Sequence, residues 1–246
     1  MQSERAVVIT GAGGGVGSLL VERFLANGDT VVATDAVADR LDDLADRHGR
    51  DGRLLTHAAD VASEDDVQAF AGVVAEKLGR VEVLINCAGF FPYTPFEQLT
   101  AESWRRVIDV NLTGAFLMVS TFLPLMKDRG WGRIVTFGSG TMFDGTRNQA
   151  PYVAAKAGLV GFSRSLAREV GGYGITVNVI TPGLTLTPVV RESAPPEVIA
   201  AQVERRAIQR DEQAQDLVGP TFFLASPAAD FVTGQTLNVD GGNFFI

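Results

Sequence analysis

The stretch AVVITGAGGGVG, residues 6–17, decides the fold that this sequence predicts. A β-branched run ends at Thr10, a cluster of glycines follows, and apolar residues then recur at helical spacing. Glycines let a backbone approach a pyrophosphate closely, and the N-terminus of a helix supplies amide donors. The stretch therefore predicts a βα unit that binds a dinucleotide, although a βα turn without a ligand is the alternative. The predicted contact residues here are Gly11, Gly14, Gly15, Val16 and Gly17.

Six further strand-like runs follow: TVVATD, LLTHAAD, VEVLINC, RIVTF, TVNVI and QTLNV. Between them, amphipathic spacing predicts helices at 17–27, 41–48, 64–78, 101–126, 151–170 and 216–225. This alternation predicts an α/β fold, a Rossmann-type doubly wound parallel sheet of seven strands with helices on both faces. No linker or repeat interrupts it, so we expect a single domain over 1–246. The irregular segment 184–210 is predicted to be a substrate loop or lid, with an ordered surface helix pair as the alternative.

Composition excludes several classes of partner. The 246 residues carry a net charge of -8 without a block of Lys or Arg, so we expect no nucleic acid and no anionic membrane as partner. The N-terminal segment lacks the apolar stretch of a signal peptide, and no apolar run suggests a transmembrane helix. Cys87 is the only cysteine, which points to a reducing cytoplasm. The two histidines, His48 and His57, lie in contexts that do not indicate a metal site.

The second predicted strand ends at Asp35, twenty residues after Gly15. A carboxylate at this position can accept hydrogen bonds from both hydroxyls of the adenosine ribose and would repel a 2′-phosphate. No arginine stands at Gly14 or Ala36 to offset that repulsion. The sequence therefore predicts NAD as the cofactor rather than NADP.

The stretch PYVAAKAG places Tyr152 and Lys156 four residues apart, and Ser139 lies thirteen residues upstream of Tyr152. Residues four apart share one face of a helix. A phenol beside an ammonium group can act as a proton donor and acceptor near neutral pH. A solvent-facing Tyr and Lys would be the simpler interpretation if this pair stood alone.

In these motifs the chain resembles the classical short-chain dehydrogenases/reductases, from the first strand to VDGG near the C-terminus. TGAGGGVG matches their glycine loop, and residues 86–89 match their NNAG motif with Cys87 in place of the second Asn. The resemblance implies a catalytic tetrad of Asn111, Ser139, Tyr152 and Lys156. It also implies that the cofactor contacts Asp60, Val61, Asn86, Ala88, Gly89, Tyr152, Lys156, Pro182, Gly183 and Thr187.

The resemblance implies a role for each member of the tetrad. Tyr152 would be the general acid/base, with its pKa lowered from about 10 by Lys156 and a positive nicotinamide. Lys156 would also contact the nicotinamide ribose, and Ser139 would hydrogen-bond the substrate oxygen. Asn111 would hold a water that relays protons from Lys156. We expect Cys87 to be a small buried residue rather than a nucleophile.

Three stretches should border the substrate: 90–96, 140–150 and the residues from Leu184 onward. The predicted pocket residues are Phe91, Tyr93, Ser139, Met142, Phe143 and Leu184. Their largely apolar and aromatic character suits an aryl or alicyclic secondary alcohol or ketone. The loops GFFPYTPFEQLT and MFDGTRNQAPYVAAK are similar to those of NAD-dependent 1-phenylethanol dehydrogenases and pyridoxal 4-dehydrogenases.

Two alternatives stay open. A 3-oxoacyl-acyl-carrier-protein reductase is one, with Arg129 and Arg133 as a docking site for the carrier. A dinucleotide-sensing protein that binds without turnover is the other. The resemblance further implies a homotetramer, or a dimer, built on the helices after Asn111 and around Tyr152. The apolar ending GGNFFI is expected to be buried against another subunit.

Overall fold

The computed structural model describes residues 5–49, 52–193 and 196–246, and these residues form one parallel sheet of seven strands. The strands are β1 (Ala6–Thr10), β2 (Thr30–Asp35), β3 (Leu54–Ala58), β4 (Val83–Asn86), β5 (Gly132–Phe137), β6 (Ile175–Pro182) and β7 (Thr236–Val239). Their order across the sheet is β3-β2-β1-β4-β5-β6-β7. The predicted doubly wound α/β fold is confirmed.

Helices connect the strands and cover both faces of the sheet. They are α1 (Gly15–Ala26), α2 (Ala38–His48), α3 (Glu64–Leu78), α4 (Ala101–Ile108), α5 (Gly114–Met126), α6 (Thr141–Asp144), α7 (Ala150–Val170), α8 (Pro188–Ser193), α9 (Pro196–Arg205) and α10 (Ala214–Leu224). Helices α1, α2 and α10 bury their apolar side chains on one face. Helices α3, α5 and α7 do so on the other.

The strands supply apolar side chains to both layers because successive side chains point to opposite faces. In β1, Val7 and Ile9 join the layer of α1, whereas Val8 joins the layer of α3. Both faces of β1 and β4 are therefore buried, which explains why these strands read as continuous apolar runs.

The site lies where the chain changes its direction of travel across the sheet. The chain passes from β1 outward to β2 and β3, and then returns to place β4 on the other side of β1. In such sheets ligands bind outside the carboxyl ends of the strands at this switch point. The Thr10 hydroxyl joins the two strand ends here, since it accepts hydrogen bonds from the N–H groups of Cys87 and Ala88, both at 3.1 Å.

The helix predicted over 101–126 is divided in two by a π-helical turn, Asp109–Thr113. The Asn111 side chain donates to the Val107 carbonyl at 2.9 Å, the group that the Asn111 N–H would reach in an α-helix. The run Ala101–Arg129 is long and apolar enough to cross a membrane by length and composition alone, with a mean hydropathy of 1.5 over its 18-residue window, but a core helix can have the same length and composition. Its α5 section packs against the sheet as a core helix.

The segment 184–210 contains two helices, α8 and α9, which agrees with the alternative of a surface helix pair, and movement of the segment as a lid stays a prediction. Residues 194 and 195 of this segment lie outside the described residues. The segment returns to the sheet at Glu212, which pairs with Thr185 in an isolated parallel bridge. Its two ends are therefore held together next to the end of β6.

Candidate active site

A cleft of about 970 Å³ runs along the carboxyl ends of the strands. The predicted cofactor residues Gly11, Gly14, Gly15, Val16, Gly17, Asp35, Asp60, Val61, Ala88, Gly89, Tyr152, Lys156, Pro182, Gly183 and Thr187 line it. Asn86 lies beneath this surface, where its side-chain amide donates to the Thr136 hydroxyl at 3.4 Å. The cleft thus joins the glycine loop to the residues predicted for catalysis.

The glycine loop has the form of a cradle for a phosphate group. Gly11 adopts a φ of +62°, and a Cβ atom there would lie 2.8 Å from the Ala88 Cα. A Cβ atom at Gly17 would collide with the Gly11 carbonyl oxygen. No described side chain caps the N-terminus of α1, so its amides are directed into the cleft. These features fit the pyrophosphate of a dinucleotide.

Asp35 is buried at the end of β2 and binds the glycine loop. Its carboxylate accepts hydrogen bonds from the Gly13 and Val37 N–H groups, each at 3.1 Å. Arg40, from the first turn of α2, brings its guanidinium within 3.9 Å of the same carboxylate and lines the cleft. Arg40 was not predicted, because it is distant from the loop in sequence and a turn of α2 brings it there.

Asp60 and Val61 line the cleft beyond Asp35. The Asp60 carboxylate accepts from the Ala62 N–H at 3.0 Å and pairs with Arg106 of α4 at 2.8 Å. Arg106 also lines the cleft and was not predicted. This end of the cleft therefore carries two arginines, Arg40 and Arg106, each beside an aspartate.

Helix α7 delivers two of the predicted catalytic residues. It begins at Ala150 with Pro151 in its first turn, which favours a helix start and places Tyr152 near the N-terminal end. One turn later the buried Lys156 donates from Nζ to the Phe137 carbonyl at 2.7 Å. The Lys156 Nζ lies 5.5 Å from the centre of the Tyr152 ring.

Burial governs the acid-base properties of this pair. It raises the pKa of Tyr152 to about 12, against a smaller lowering by a hydrogen bond with Ser139. Burial also lowers the pKa of Lys156 to about 8. These values belong to the protein without a cofactor, so the predicted lowering of the Tyr152 pKa by Lys156 and a bound nicotinamide stays a prediction. A further positive charge is needed to make the phenol a base near neutral pH.

Ser139 lies just beyond the end of β5 and is oriented by a neighbour. Its Oγ accepts hydrogen bonds from the Thr141 N–H at 3.2 Å and from the Thr141 hydroxyl at 3.0 Å. The Ser139 hydroxyl proton is left to point toward Tyr152 or a ligand. Thr141 was not predicted, because a threonine two residues after a serine is common.

Asn111 is buried, and its side chain forms hydrogen bonds with backbone groups. Its amide donates to the carbonyls of Phe90 at 2.7 Å and Val107 at 2.9 Å, and its oxygen accepts from the Phe90 N–H at 3.2 Å. Both amide protons are used, so the side chain cannot donate to a water. A small cavity of about 10 Å³ beside it is also lined by Asn86 and Lys156. The predicted proton relay stays a prediction.

The comparisons with known proteins agree with this geometry. A family model described as enoyl-(acyl-carrier-protein) reductase matches residues 11–243. The chain belongs to the short-chain dehydrogenase/reductase family. It is therefore an oxidoreductase of a family whose members use NAD(P).

Several short-chain dehydrogenases/reductases match over nearly their whole length. The 3-oxoacyl-[acyl-carrier-protein] reductase of Escherichia coli is 35% identical, with 98% of each chain covered. The 2,3-dihydroxy-2,3-dihydro-p-cumate dehydrogenase of Pseudomonas putida is also 35% identical, with 97% of this chain and 94% of that protein covered. A crystal structure from Brucella melitensis, described as a glucose/ribitol dehydrogenase of the same family, gives a TM-score of 0.93 at 33% identity, covering 98% of this chain and 97% of that one.

At the substrate end of this dehydrogenase fold, four predicted pocket residues line the cleft: Phe91, Tyr93, Ser139 and Leu184. The Phe91 ring meets the Tyr152 ring edge-on, with 6.1 Å between centroids. Met142 and Phe143 lie on α6 but are not part of the lining. Phe143 packs instead against Phe244, which lines the cleft in its place.

The structure also bears on the roles expected for Arg133 and Cys87. Arg133, suggested as a carrier docking residue, is buried, pairs with Asp230 and stacks on Trp131. It begins β5, whereas Ser139 follows the opposite end of the same strand, so Arg133 is wrong as a surface contact near the site. Cys87 is partly buried rather than fully buried as expected, since it packs against the core and also lines the cleft, and burial raises the pKa of its thiol to about 12.

Proposed function

We propose that the chain is an NAD(H)-dependent oxidoreductase that interconverts a secondary alcohol, aryl or alicyclic, and its ketone. One observation carries the proposal. Tyr152, Ser139 and Lys156 line the same cleft as the glycine loop. Proton transfer at a carbonyl oxygen and dinucleotide binding are thereby combined in one cavity.

The chemistry follows from the positions of these groups. The nicotinamide, when bound, supplies or accepts the hydride and, in its oxidised form, adds a positive charge. During reduction Tyr152 donates its proton to the substrate oxygen, and during oxidation it takes the proton back. Ser139, held by Thr141, donates a hydrogen bond to the same oxygen. Lys156, fixed by the Phe137 carbonyl, keeps a second positive charge near the phenol.

NAD is preferred in this proposal because Asp35 is buried and fixed. Its carboxylate is held by the Gly13 and Val37 N–H groups, so it cannot swing away from a 2′-phosphate. Repulsion between the two negative groups then disfavours NADP. Arg40 opposes this effect, and the strength of the preference depends on the balance between Asp35 and Arg40.

The lining of the cleft supports the substrate class. Phe90, Phe91 and Tyr93 border one side, and Leu184, Val189 and Val190 border another. Such walls favour a ring or an aliphatic body over a highly hydroxylated chain. The carbon that carries the reacting oxygen would lie beside Ser139 and Tyr152.

A carrier-bound 3-oxoacyl substrate is the second candidate, and the relative from Escherichia coli is the observation that favours it. The buried Arg133 leaves Arg129 as the remaining suggested docking residue. A free alcohol can enter the cleft whole, whereas a carrier-bound ketone must enter while its carrier protein stays outside. Turnover with each kind of substrate distinguishes the two candidates. We also propose that the protein is cytoplasmic and assembles as a homotetramer or a dimer.

The test is a steady-state assay of nicotinamide absorbance with NAD and NADP over a panel of aryl and alicyclic secondary alcohols. A 3-oxoacyl thioester with NADH and NADPH completes the panel. Turnover with NAD that disappears in Tyr152→Phe supports the proposal. Activity confined to the thioester would favour the carrier-bound substrate. NAD binding without any turnover would leave a sensor as the remaining function.

A further inference from the structure

Two buried charged side chains lie beneath the loop that follows β6, outside the lining of the cleft. Arg206 is 4% exposed and Glu212 is 5% exposed. The Arg206 Nη2 lies 3.5 Å from the Glu212 Oε2. Buried charges are costly unless paired and hydrogen-bonded, and such a pair is weak evidence for stability. The function of the pair is therefore better judged from the groups to which it is hydrogen-bonded than from the attraction between the two charges.

Three of their other hydrogen bonds go to successive residues of the loop. The Thr185 hydroxyl donates to Glu212 Oε1 at 2.6 Å, and the Gly183 N–H donates to Glu212 Oε2 at 3.1 Å. Between them, the Leu184 carbonyl accepts from Arg206 Nη2 at 3.0 Å. All three loop residues line the cleft. The ion pair thus contacts these lining residues on the side that faces away from the cleft.

The same pair joins the two ends of the segment 184–210. Arg206 Nη1 donates to the Arg210 carbonyl at 3.1 Å, near the end of the segment. A Cβ atom at Gly183 would lie 2.7 Å from Glu212 Oε2 and 3.1 Å from Arg206 Nη2. A larger residue at 183 would therefore displace the ion pair, which shows how closely the pair packs against the loop.

We propose that Arg206 and Glu212 are positioning residues for the reaction, because their ion pair fixes the backbone of Gly183, Leu184 and Thr185 against the reacting end of the cleft. The inference deepens the proposed function and rests on it, since the loop matters only if cofactor and substrate bind beside it. Neither side chain is required to touch a ligand. Their effect on turnover passes through the shape of the loop.

The charges around Glu212 give this arrangement a dependence on pH. Arg206 and Arg210 face it from the segment 184–210, and Asp240 faces it from the end of β7. Burial raises the pKa of Glu212 to about 7, against lowering by Thr185, Arg206 and the Gly183 N–H. Above that pH the carboxylate accepts from all three groups. Below it the added proton takes up one of these acceptor positions, so the hold on the loop weakens.

Glu212→Gln in the full chain tests the inference, with the NAD dissociation constant measured by calorimetry and the KM for alcohol by absorbance from pH 6 to 8. Loss of one charge-assisted hydrogen bond predicts about tenfold weaker binding. The wild-type dissociation constant should fall as pH rises through 7, and that dependence should be absent in the variant. Calorimetry needs no turnover, so a failure of the proposed substrate class does not obscure the result.

Asp29→Asn is the matched control, because Asp29 forms another buried pair, with Arg5 at 2.6 Å, remote from the cleft. It should lower the melting temperature and leave NAD binding and its pH dependence as in the wild type. Arg206→Lys provides a second variant if Glu212→Gln does not fold. It keeps the charge but cannot bond Glu212, Leu184 and Arg210 together, so it should also weaken NAD binding. Binding within twofold of the wild type in both variants, or in Arg206→Lys alone, would overturn the inference.

Discussion

At Tyr152 the effect of burial on the pKa is larger than the effect of the hydrogen bond with Ser139. Burial raises the pKa of the phenol to about 12, and the hydrogen bond with Ser139 offsets only part of the effect. Lys156 cannot compensate fully, because burial lowers its own pKa to about 8 and favours its neutral form above that pH. A bound oxidised nicotinamide would add the missing positive charge.

This balance predicts a titration that depends on the cofactor. In the protein alone, the phenolate absorbance of Tyr152, taken as wild type minus Tyr152→Phe, should be absent up to pH 10. With saturating NAD it should appear at lower pH, because an opposite charge stabilises the phenolate. The two difference titrations measure the shift directly. Identical curves with and without NAD would show that the cofactor does not tune this residue.

The carboxylate of Asp35 and the guanidinium of Arg40 predict a second effect at the scale of single residues. Asp35→Ala should improve the kcat/KM for NADP by about tenfold or more, because repulsion is removed and Arg40 is freed for a phosphate. Asp35→Ala combined with Arg40→Ala should lose most of that gain. Steady-state kinetics with both cofactors measure the effect. An equal increase in the kcat/KM for NADP in the single and double variants would show that Arg40 does not contribute to NADP binding.

The sequence could predict residues whose roles depend on local spacing. The glycine loop and the pair Tyr152 and Lys156 are of this kind, since each lies within one turn or helix. Arg40 and Thr141 were missed because their importance comes from the direction of a side chain after folding. Phe143 was assigned to the pocket because it is apolar, but an apolar ring can equally pack against another side chain, and Phe143 packs against Phe244.

At the scale of elements, the seven strands were predictable because each is a short run rich in β-branched or other apolar residues and bounded by turns. The division of the helix over 101–126 was not, because both halves keep helical spacing across the π turn. The cause is a contact with a distant loop, in which Asn111 binds both backbone groups of Phe90. The bounds of helix α8 were not predictable either, because Pro188–Ser193 is too short to show a helical period.

Asn111→Leu tests the structural role of this π turn. It would leave the carbonyls of Phe90 and Val107 and the Phe90 N–H without their partner, at a cost of roughly 2–4 kcal/mol in the free energy of unfolding. The melting temperature should fall by several degrees in a thermal scan. Thr113→Val in the same turn is the control, because its side chain makes one long contact, with Asp109 at 3.5 Å. Equal melting temperatures for the two variants would contradict the assignment.

At the scale of the whole molecule, the most unusual surface is apolar. Trp104 of α4 and Phe116 of α5 are 38% and 50% exposed, and the Phe116 ring meets Phe162 of α7 edge-on at 6.4 Å. Near the C-terminus, Phe245 and Ile246 are 88% and 67% exposed. Exposed aromatic side chains such as these are typical of surfaces that bind another protein chain.

These surfaces predict assembly, and Phe116→Glu tests it. Sedimentation equilibrium of the wild type at micromolar concentration should give a dimer or a tetramer. The variant should give a smaller species, because association would bury an unpaired carboxylate. Truncation before Phe245 tests the second surface separately, and a tetramer that uses both surfaces should lose half its subunits in either variant. A wild-type monomer under these conditions would sink the proposal, and the exposed aromatic groups would then need another partner.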